Sequence, residues 1–561
     1  MSAQPSIIKG IPLAEEPGLG SLNLAGYIRE VTQRFGPREA AVMRVGEAVE
    51  RWTYDDLWDR SMAVARALVA CGVGKGTRVG ILMTNRLEFL SALFGTALAG
   101  GVATTLSTFS TQAELDYLVA SSGCSVLLLE RKVLKKDFAE MLCAVEPLVG
   151  TSQPDQLEST RFPFLTHVAM VESDGPLGAI EMWDDFLARG AVVPVELVEA
   201  RAATVHASDP GVLFFSSGST TKPKGILSAH RGVTLQLWRW KRFYKTEQDV
   251  RSWSANGFFW SGNFCMALGG TFSAGGSIVL QRFFNPEDAL TLMEQEKVSL
   301  AIAWPHQWAQ LEAAANWDTV DLSALTYADI RTPIGRHPTV TATWDEPIAA
   351  YGNTETFTIS SIWPSGTPKE RIGSSHGEPL PGNIFKIVDP LTGETVPMGE
   401  RGEIAVKGPT LMLGYIGIPL DETVDADGFF RTGDGGYVDD QNRLYWEGRL
   451  NDIIKTGGAN VSPIEIDAIL KDCPGVKVTQ TVGVPHDTLG ELVVACIVPH
   501  EGVTLTEAEV QAFAKVQLAS YKVPRRVLFF TEDELQMTGT AKIKTADLRK
   551  LAAARLEAEG A

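Results

Sequence analysis

The residues best suited to chemistry sit in one stretch, VLFFSSGSTTKPKGI, residues 212–226. Four apolar residues run straight into hydroxyls, two glycines and two lysines. A buried strand ending in Ser216, Ser217, Gly218, Ser219, Thr220 and Thr221 presents successive backbone N–H groups with little side-chain obstruction. Gly218 and Gly225 are read as positions free to take positive φ, and Lys222 and Lys224 place positive charge beside them. Such a nest suits phosphate oxygens. It differs from the G-x-x-x-x-G-K-[ST] loop, because no Gly-Lys-Ser/Thr closes it. The plain alternative for this stretch alone is a solvated Ser/Thr-rich turn.

The elements around it must hold that loop. At 561 residues the chain exceeds one compact core, so more than one domain is expected. WTYDDLWDRSMAVARALVACGVG predicts an amphipathic helix capped by Thr53 and ending near Gly72, followed by a buried strand over 78–83. FLSALFGTALAGGVATTL, residues 89–106, reads as a core helix and a strand broken at Gly100-Gly101, and no stable membrane span is expected. This alternation predicts a parallel αβ sheet. Residues 130–210 carry no clear pattern, and most of the aromatics over 238–308 read as core. Beyond residue 380, GNIFKIVD, GEIAVKG, GFFRTGD and NRLYWEG predict a small β subdomain. An αβ module follows Arg449, with a helix marked by Ser462 as N-cap, Pro463 at its first position and Glu465 closing a capping box.

Composition excludes several classes. Lys plus Arg total 50 against 68 Asp plus Glu, a net charge of −18, which argues against a nucleic-acid partner. The six cysteines are scattered without a CxxC or Cys/His cluster, so neither a zinc site nor a disulfide framework is expected. The N-terminus has no apolar run, and a reducing, cytoplasmic setting is the expectation.

The loop resembles the phosphate loop of the adenylate-forming superfamily, in its acyl-CoA synthetase branch. YGNTE (351–355), GEIAVKGP (402–409), RTGD (431–434), GRLNDIIKTGG (448–458) and TGTAKIKT (538–545) follow in the family's order. The resemblance implies a large N-terminal domain of layered αβ subdomains and a β subdomain, residues 1–450, and a small mobile α+β domain, residues 451–561. It implies that ATP and a small-molecule carboxylic acid form an acyl-adenylate, with CoA as the thiol substrate. Lys542 matches the lysine that bridges carboxylate and α-phosphate. Glu355 matches the Mg2+ ligand, as suits a hard cation. Thr354 is expected at the α-phosphate, with Gly352 and Asn353 in the same loop, and Tyr351 offers a face to adenine. Asp434 is expected to accept the ribose hydroxyls, which two carboxylate oxygens can do, and Arg449 to reach ribose or phosphate. Asn451 falls at the hinge, Gly457 and Gly458 at the thiol channel, and Lys522, Arg525 and Arg526 near the CoA phosphates.

Four positions depart from the family's pattern: Thr221 and Ala541 stand where it has Gly, Phe259 where it has an aromatic-gate His, and Asn451 where it has Asp or Lys. Phe259, Trp260, Phe264, Trp304 and Thr332 are the candidate lining of an acyl pocket, and with no charge placed there the acid is expected to be fatty, aryl or polycyclic. An acyl carrier protein is the alternative acceptor, and a non-catalytic nucleotide-binding protein the alternative of another class. A homodimer is a family-level expectation only.

Overall fold

The computed structural model describes residues 4–216, 223–450, 452, 454–456, 459–486, 489–518, 522–532, 534–535 and 545–559. The central sheet has eight strands. Ile180–Met182, His167–Val171, Val126–Glu130, Arg78–Leu82, Val102–Thr105 and Pro210–Phe215 run parallel in that spatial order. Gly225–Ala229 and Gly414–Tyr415 complete it antiparallel. The loop singled out above thus joins two antiparallel strands, where the sheet changes from parallel to antiparallel. It leaves the carboxyl end of Pro210–Phe215, the end at which open αβ sheets present their ligand sites.

A second sheet orders Leu300–Ile302, Arg251–Ser254, Ser277–Leu280, Glu39–Val45 and Ala48–Thr53, parallel except for the last hairpin. Between the two sheets lies the largest core cluster, which includes the helices Tyr54–Ala70, Leu87–Leu98 and His230–Tyr244. Thr53 caps the first of these with the expected N-cap geometry: its hydroxyl accepts from Asp56 N at 3.0 Å and Asp56 returns the bond. Leu87–Leu98 is buried on every face except at Glu88, and its composition is accordingly apolar nearly all round. It packs on Tyr54–Ala70 at Gly95, where a Cβ would stand 2.8 Å from the Ser61 carbonyl oxygen. Each leucine buried here contributes roughly 1.5–3 kcal/mol.

The β subdomain is a five-stranded antiparallel sheet of Ile7–Lys9, Ile384–Val388, Gly402–Lys407, Phe430–Val438 and Leu444–Arg449. Its four later strands match the four runs read from the sequence, and its first comes from the N-terminus. The last module pairs Val476–His486 with Gly490–Pro499, flanked by Arg526–Phe529 and Ile454–Thr456 and packed on the helices Pro463–Leu470 and Glu507–Gln517. No described helix is long and apolar enough to cross a membrane.

Two local expectations change. Ser462 precedes the helix Pro463–Leu470 but makes no capping bond. Its hydroxyl donates instead to the Glu447 carbonyl, tying the helix to the β subdomain. Glu465 is spent on Lys522, whose ammonium meets both carboxylate oxygens at 2.6 and 2.7 Å, so no capping box forms. Gly225 is extended in a strand opposite Phe215 and takes no positive φ. Its missing side chain admits Ile416, which a Cβ would approach to 3.1 Å.

Candidate active site

The neck of the 216–224 loop is built by its own backbone. Ser216 N donates to the Lys224 carbonyl at 2.9 Å, and Lys224 N donates to Ser216 Oγ at 3.1 Å. Tyr117, from the helix Gln112–Ser122, donates to the Pro223 carbonyl at 2.9 Å. Ser217, Gly218, Ser219, Thr220, Thr221 and Lys222 lie outside the described residues, as do Asn451, Gly457, Gly458, Ala541 and Lys542.

Beside the neck stands the 351–359 segment. Tyr351 closes a short strand, and Gly352 follows where a Cβ would stand 2.3 Å from the Thr358 carbonyl oxygen. Asn353 caps a single tight turn holding Thr354 and Glu355, its Oδ1 accepting from Thr356 N at 3.0 Å. Glu355 is held at both ends: its carbonyl accepts from Met412 N at 2.7 Å, and its Oε1 accepts from the Tyr415 hydroxyl at 2.7 Å. Lys224 Nζ lies 4.8 Å from the centroid of that same Tyr415 ring. Burial raises the Tyr415 hydroxyl pKa well above the usual phenol range, and the Glu355 charge adds to it, so this group stays a donor.

Asp434 is the third component, almost fully buried. Antiparallel pairing sets it opposite Arg449, and Arg449 Nε lies 3.1 Å from Asp434 Oδ1. The Tyr351 hydroxyl donates to Asp434 Oδ2 at 2.8 Å. Burial raises the Asp434 pKa, opposed first by the Arg449 charge and then by the Tyr351 hydroxyl, with Glu355 pushing it further up. Arg449 also donates from Nη1 to the Thr432 carbonyl at 2.9 Å, yet its side chain is 55% exposed. It can therefore face a ligand while it braces Asp434. The Tyr351 ring is 5% exposed and packed edge-on against Phe385, so in this structure its main contribution is to orient Asp434.

The aromatic residues divide. Phe264 is fully buried, edge-on to Phe214 at 5.6 Å and Phe357 at 6.4 Å, and forms the wall behind the site. Phe259 packs between Phe109 and Trp260, at 5.7 and 5.3 Å. Trp304 is 44% exposed at the start of its helix. Thr332 spends its hydroxyl locally, donating to the Asp329 carbonyl and accepting from Gly335 N.

Lys522 is ion-paired with Glu465, and Arg526 with Glu507 and Glu559, while Arg525 is exposed. No described group of three or more His, Cys, Asp or Glu converges to hold a metal. One carboxylate with an oxygen to spare is nevertheless what Mg2+ requires, since it takes most of its ligands from water and phosphate. Glu355 fits that demand.

The AMP-binding enzyme model matches residues 28–416, and the AMP-binding enzyme C-terminal domain model matches residues 465–542. The chain belongs to this family. Acyl-CoA ligase SID4 of Ajellomyces capsulatus is 30% identical over 96% of this chain and 92% of its own. A feruloyl-CoA synthase of Amycolatopsis is 31% identical over 92% and 96% respectively. Among solved structures, ATP-bound MatB from Rhodopseudomonas palustris shares the fold at a TM-score of 0.75 and 24% identity, covering 95% of this chain and 99% of that one. An anthranilate CoA ligase in complex with anthranoyl-AMP does so at 0.76 and 24%, covering 96% and 99%.

The fold brings Ser216, Lys224, Glu355, Asp434 and Arg449 together, although 233 positions separate Ser216 from Arg449. Tyr415 was not among the candidates read from the sequence. It sits in LMLGYIG, whose place beside Glu355 arises from non-local bonds, the sheet pairing with Gly225–Ala229 and the Met412 N–H to the Glu355 carbonyl.

Proposed function

We propose that this chain is an ATP-dependent carboxylate–CoA ligase. A carboxylate oxygen attacks the α-phosphorus, a P–O bond forms and the bond to pyrophosphate breaks. The CoA sulfur then attacks the acyl carbon, a C–S bond forms, the C–O bond to AMP breaks, and the thiol proton passes to solvent. A free thiol is a few per cent thiolate at neutral pH, so the second step needs no dedicated base.

The observation that carries this reading is the convergence of three groups from different elements: the Ser216/Lys224 neck, Glu355 under Tyr415, and Asp434 clasped by Tyr351 and Arg449. Asp434 orients ribose, and Arg449 holds ribose or phosphate from the cleft side. Ser217, Gly218, Ser219, Thr220 and Thr221 supply N–H and hydroxyl donors for the β- and γ-phosphates. Glu355 would hold Mg2+, which when bound would neutralise phosphate charge. Thr354 donates to the α-phosphate. Lys542, carried on residues 451–561 against a catalytic body of residues 1–450, draws the two anions together; at ~4 Å and an effective dielectric near 20, each such pair is worth roughly 4 kcal/mol.

A hydrophobic acid fits the aromatic surroundings of Phe259 and Trp260. The relatives named above include a feruloyl-CoA synthase, and a medium-chain acyl-CoA ligase of Homo sapiens is 27% identical over 95% of this chain. The test is pyrophosphate release with ATP, Mg2+ and a panel of aryl and aliphatic acids, with and without CoA. Acid-dependent release together with a CoA thioester supports the proposal. Absence of acid-dependent release across the panel rejects it, and release with no thioester redirects the acyl group to a carrier-protein acceptor.

A further inference from the structure

The segment that presents Thr354 and Glu355 ends in an unusual backbone. Phe357 and Thr358 are consecutive non-glycine residues with φ of 50° and 89°. Left-handed conformations cost of order 1–3 kcal/mol each, and a β-branched residue sits at the unfavourable end of that range. Such strain persists only where its surroundings hold it.

The holding group is Gln236, in the middle of the buried helix His230–Tyr244. Its Nε2 donates to the Phe357 carbonyl at 2.8 Å and to the Ile359 carbonyl at 2.7 Å, bracketing Thr358. The residue is fully buried, and its Oε1 has no hydrogen-bond partner. A buried amide that leaves its acceptor unmatched costs about 1–3 kcal/mol, so its retention here rests on the two bonds its nitrogen makes. Phe357 is pinned in parallel by the edges of Phe214 and Phe264, and Thr358 N returns to the Asn353 carbonyl at 2.9 Å. Gln236 therefore grips the far side of the loop whose near side carries Glu355. The same helix continues directly from the strand Gly225–Ala229, so one rigid stretch supports both the neck at Lys224 and the turn at Glu355.

We infer that Gln236 is a positioning residue for adenylation: it holds the strained Phe357-Thr358 backbone so that Glu355 and Thr354 meet metal and α-phosphate. This rests on the ligase reading of the site given above. Phosphoryl chemistry of this kind depends on placement, and an error near 1 Å costs about 100-fold.

The experiment uses the full chain carrying Gln236→Met, which keeps the volume and removes both donors. Acid-dependent ATP–pyrophosphate exchange is measured well below the melting temperature while Mg2+ is titrated. The expected result is a kcat lower by about 10- to 100-fold, a several-fold rise in half-saturating Mg2+, and a KM for the acid unchanged within about twofold. Thr358→Gly added to that variant recovers part of the loss, because glycine takes the same φ without strain. Unchanged kcat and Mg2+ dependence in Gln236→Met overturns the inference, as does a loss matched by the unfolded fraction with a wild-type Mg2+ curve. Should Gln236→Met not fold, Gln236→Glu keeps the shape and is read by the same two outcomes. Glu355→Gln is run in parallel. If it retains full activity, the reading of the site fails; if it is inactive while Gln236→Met behaves as wild type, only the role of Gln236 falls.

Discussion

Tyr415 donates its hydroxyl to Glu355 Oε1 at 2.7 Å, and a face of its ring lies under the Lys224 ammonium. One side chain therefore links the carboxylate proposed for the metal to the lysine of the proposed phosphate loop, and it does so from a strand remote from both in sequence. A hydrogen bond to a charged group contributes about 1.5–3 kcal/mol. Tyr415→Phe is expected to lower kcat for adenylation by about tenfold or more, with the KM for the acid unmoved. Steady-state pyrophosphate exchange against ATP and acid separately checks this; a change confined to the acid KM would place Tyr415 in the acyl pocket instead.

Asp434 predicts a pH dependence. Burial raises its pKa, so the protonated form, which has lost acceptor capacity, persists to higher pH than for an ordinary aspartate. Apparent ATP affinity should therefore weaken on acidification at a pH above the usual carboxylate range. Arg449 opposes the rise, so Arg449→Ala moves that acid limb to still higher pH, and Asp434→Asn removes the limb along with most of the affinity. The profile of kcat/KM for ATP against pH gives the answer.

Asp467 offers a test in the C-terminal module. Its half-buried carboxylate accepts from Thr481 and Thr479 at 2.7 and 3.3 Å, and desolvation pushes its pKa up to about 6. A carboxyl raised in the folded state adds stability at low pH that is lost as pH rises from the ordinary carboxylate value to about 6. Asp467→Asn, which keeps an oxygen for Thr481, is expected to melt at a higher temperature than wild type at pH 8, with the difference closing as pH falls below about 6. Paired thermal melts across that range measure it. A constant difference would show that Asp467 does not titrate as described.

Much of the fold was legible because it is written in local signals. Thr53 and Asp56 mark a helix start, and Gly100-Gly101 separates a core helix from a strand. The Gly-rich runs after residue 380 spell out four antiparallel strands. The candidate residues were legible in the same way, as short ordered motifs, and the fold brings Ser216, Lys224, Glu355, Asp434 and Arg449 together. What escaped was non-local. Strand Ile7–Lys9 joins a sheet whose next strand begins at Ile384. Gln236 looks like any polar residue in an aromatic helix until its carbonyl partners, more than a hundred positions away, are seen. The capping pattern at Ser462 was a correct local motif overruled by better tertiary partners, Glu447 and Lys522. The stretch 130–210 resisted because its elements are short, as in the hairpin Lys132–Asp137 and the helix Pro147–Thr151.

Lys542 should separate the two half-reactions. Lys542→Ala is expected to reduce adenylation by at least about 100-fold while sparing thioester formation from a preformed acyl-adenylate, because only the first step brings two anions together. Single-turnover assays of each half-reaction show whether the losses differ. Equal loss in both would contradict a lysine dedicated to the first.

Oxygen tracing reaches the acyl-adenylate itself. A carboxylic acid labelled with 18O in both oxygens is turned over with ATP, Mg2+ and CoA, and the products are weighed by mass spectrometry. Attack of the carboxylate on the α-phosphorus, followed by thiol displacement, leaves one labelled oxygen in AMP and none in pyrophosphate. Label in inorganic phosphate with ADP as co-product, or AMP free of label, would contradict the mechanism proposed for this chain.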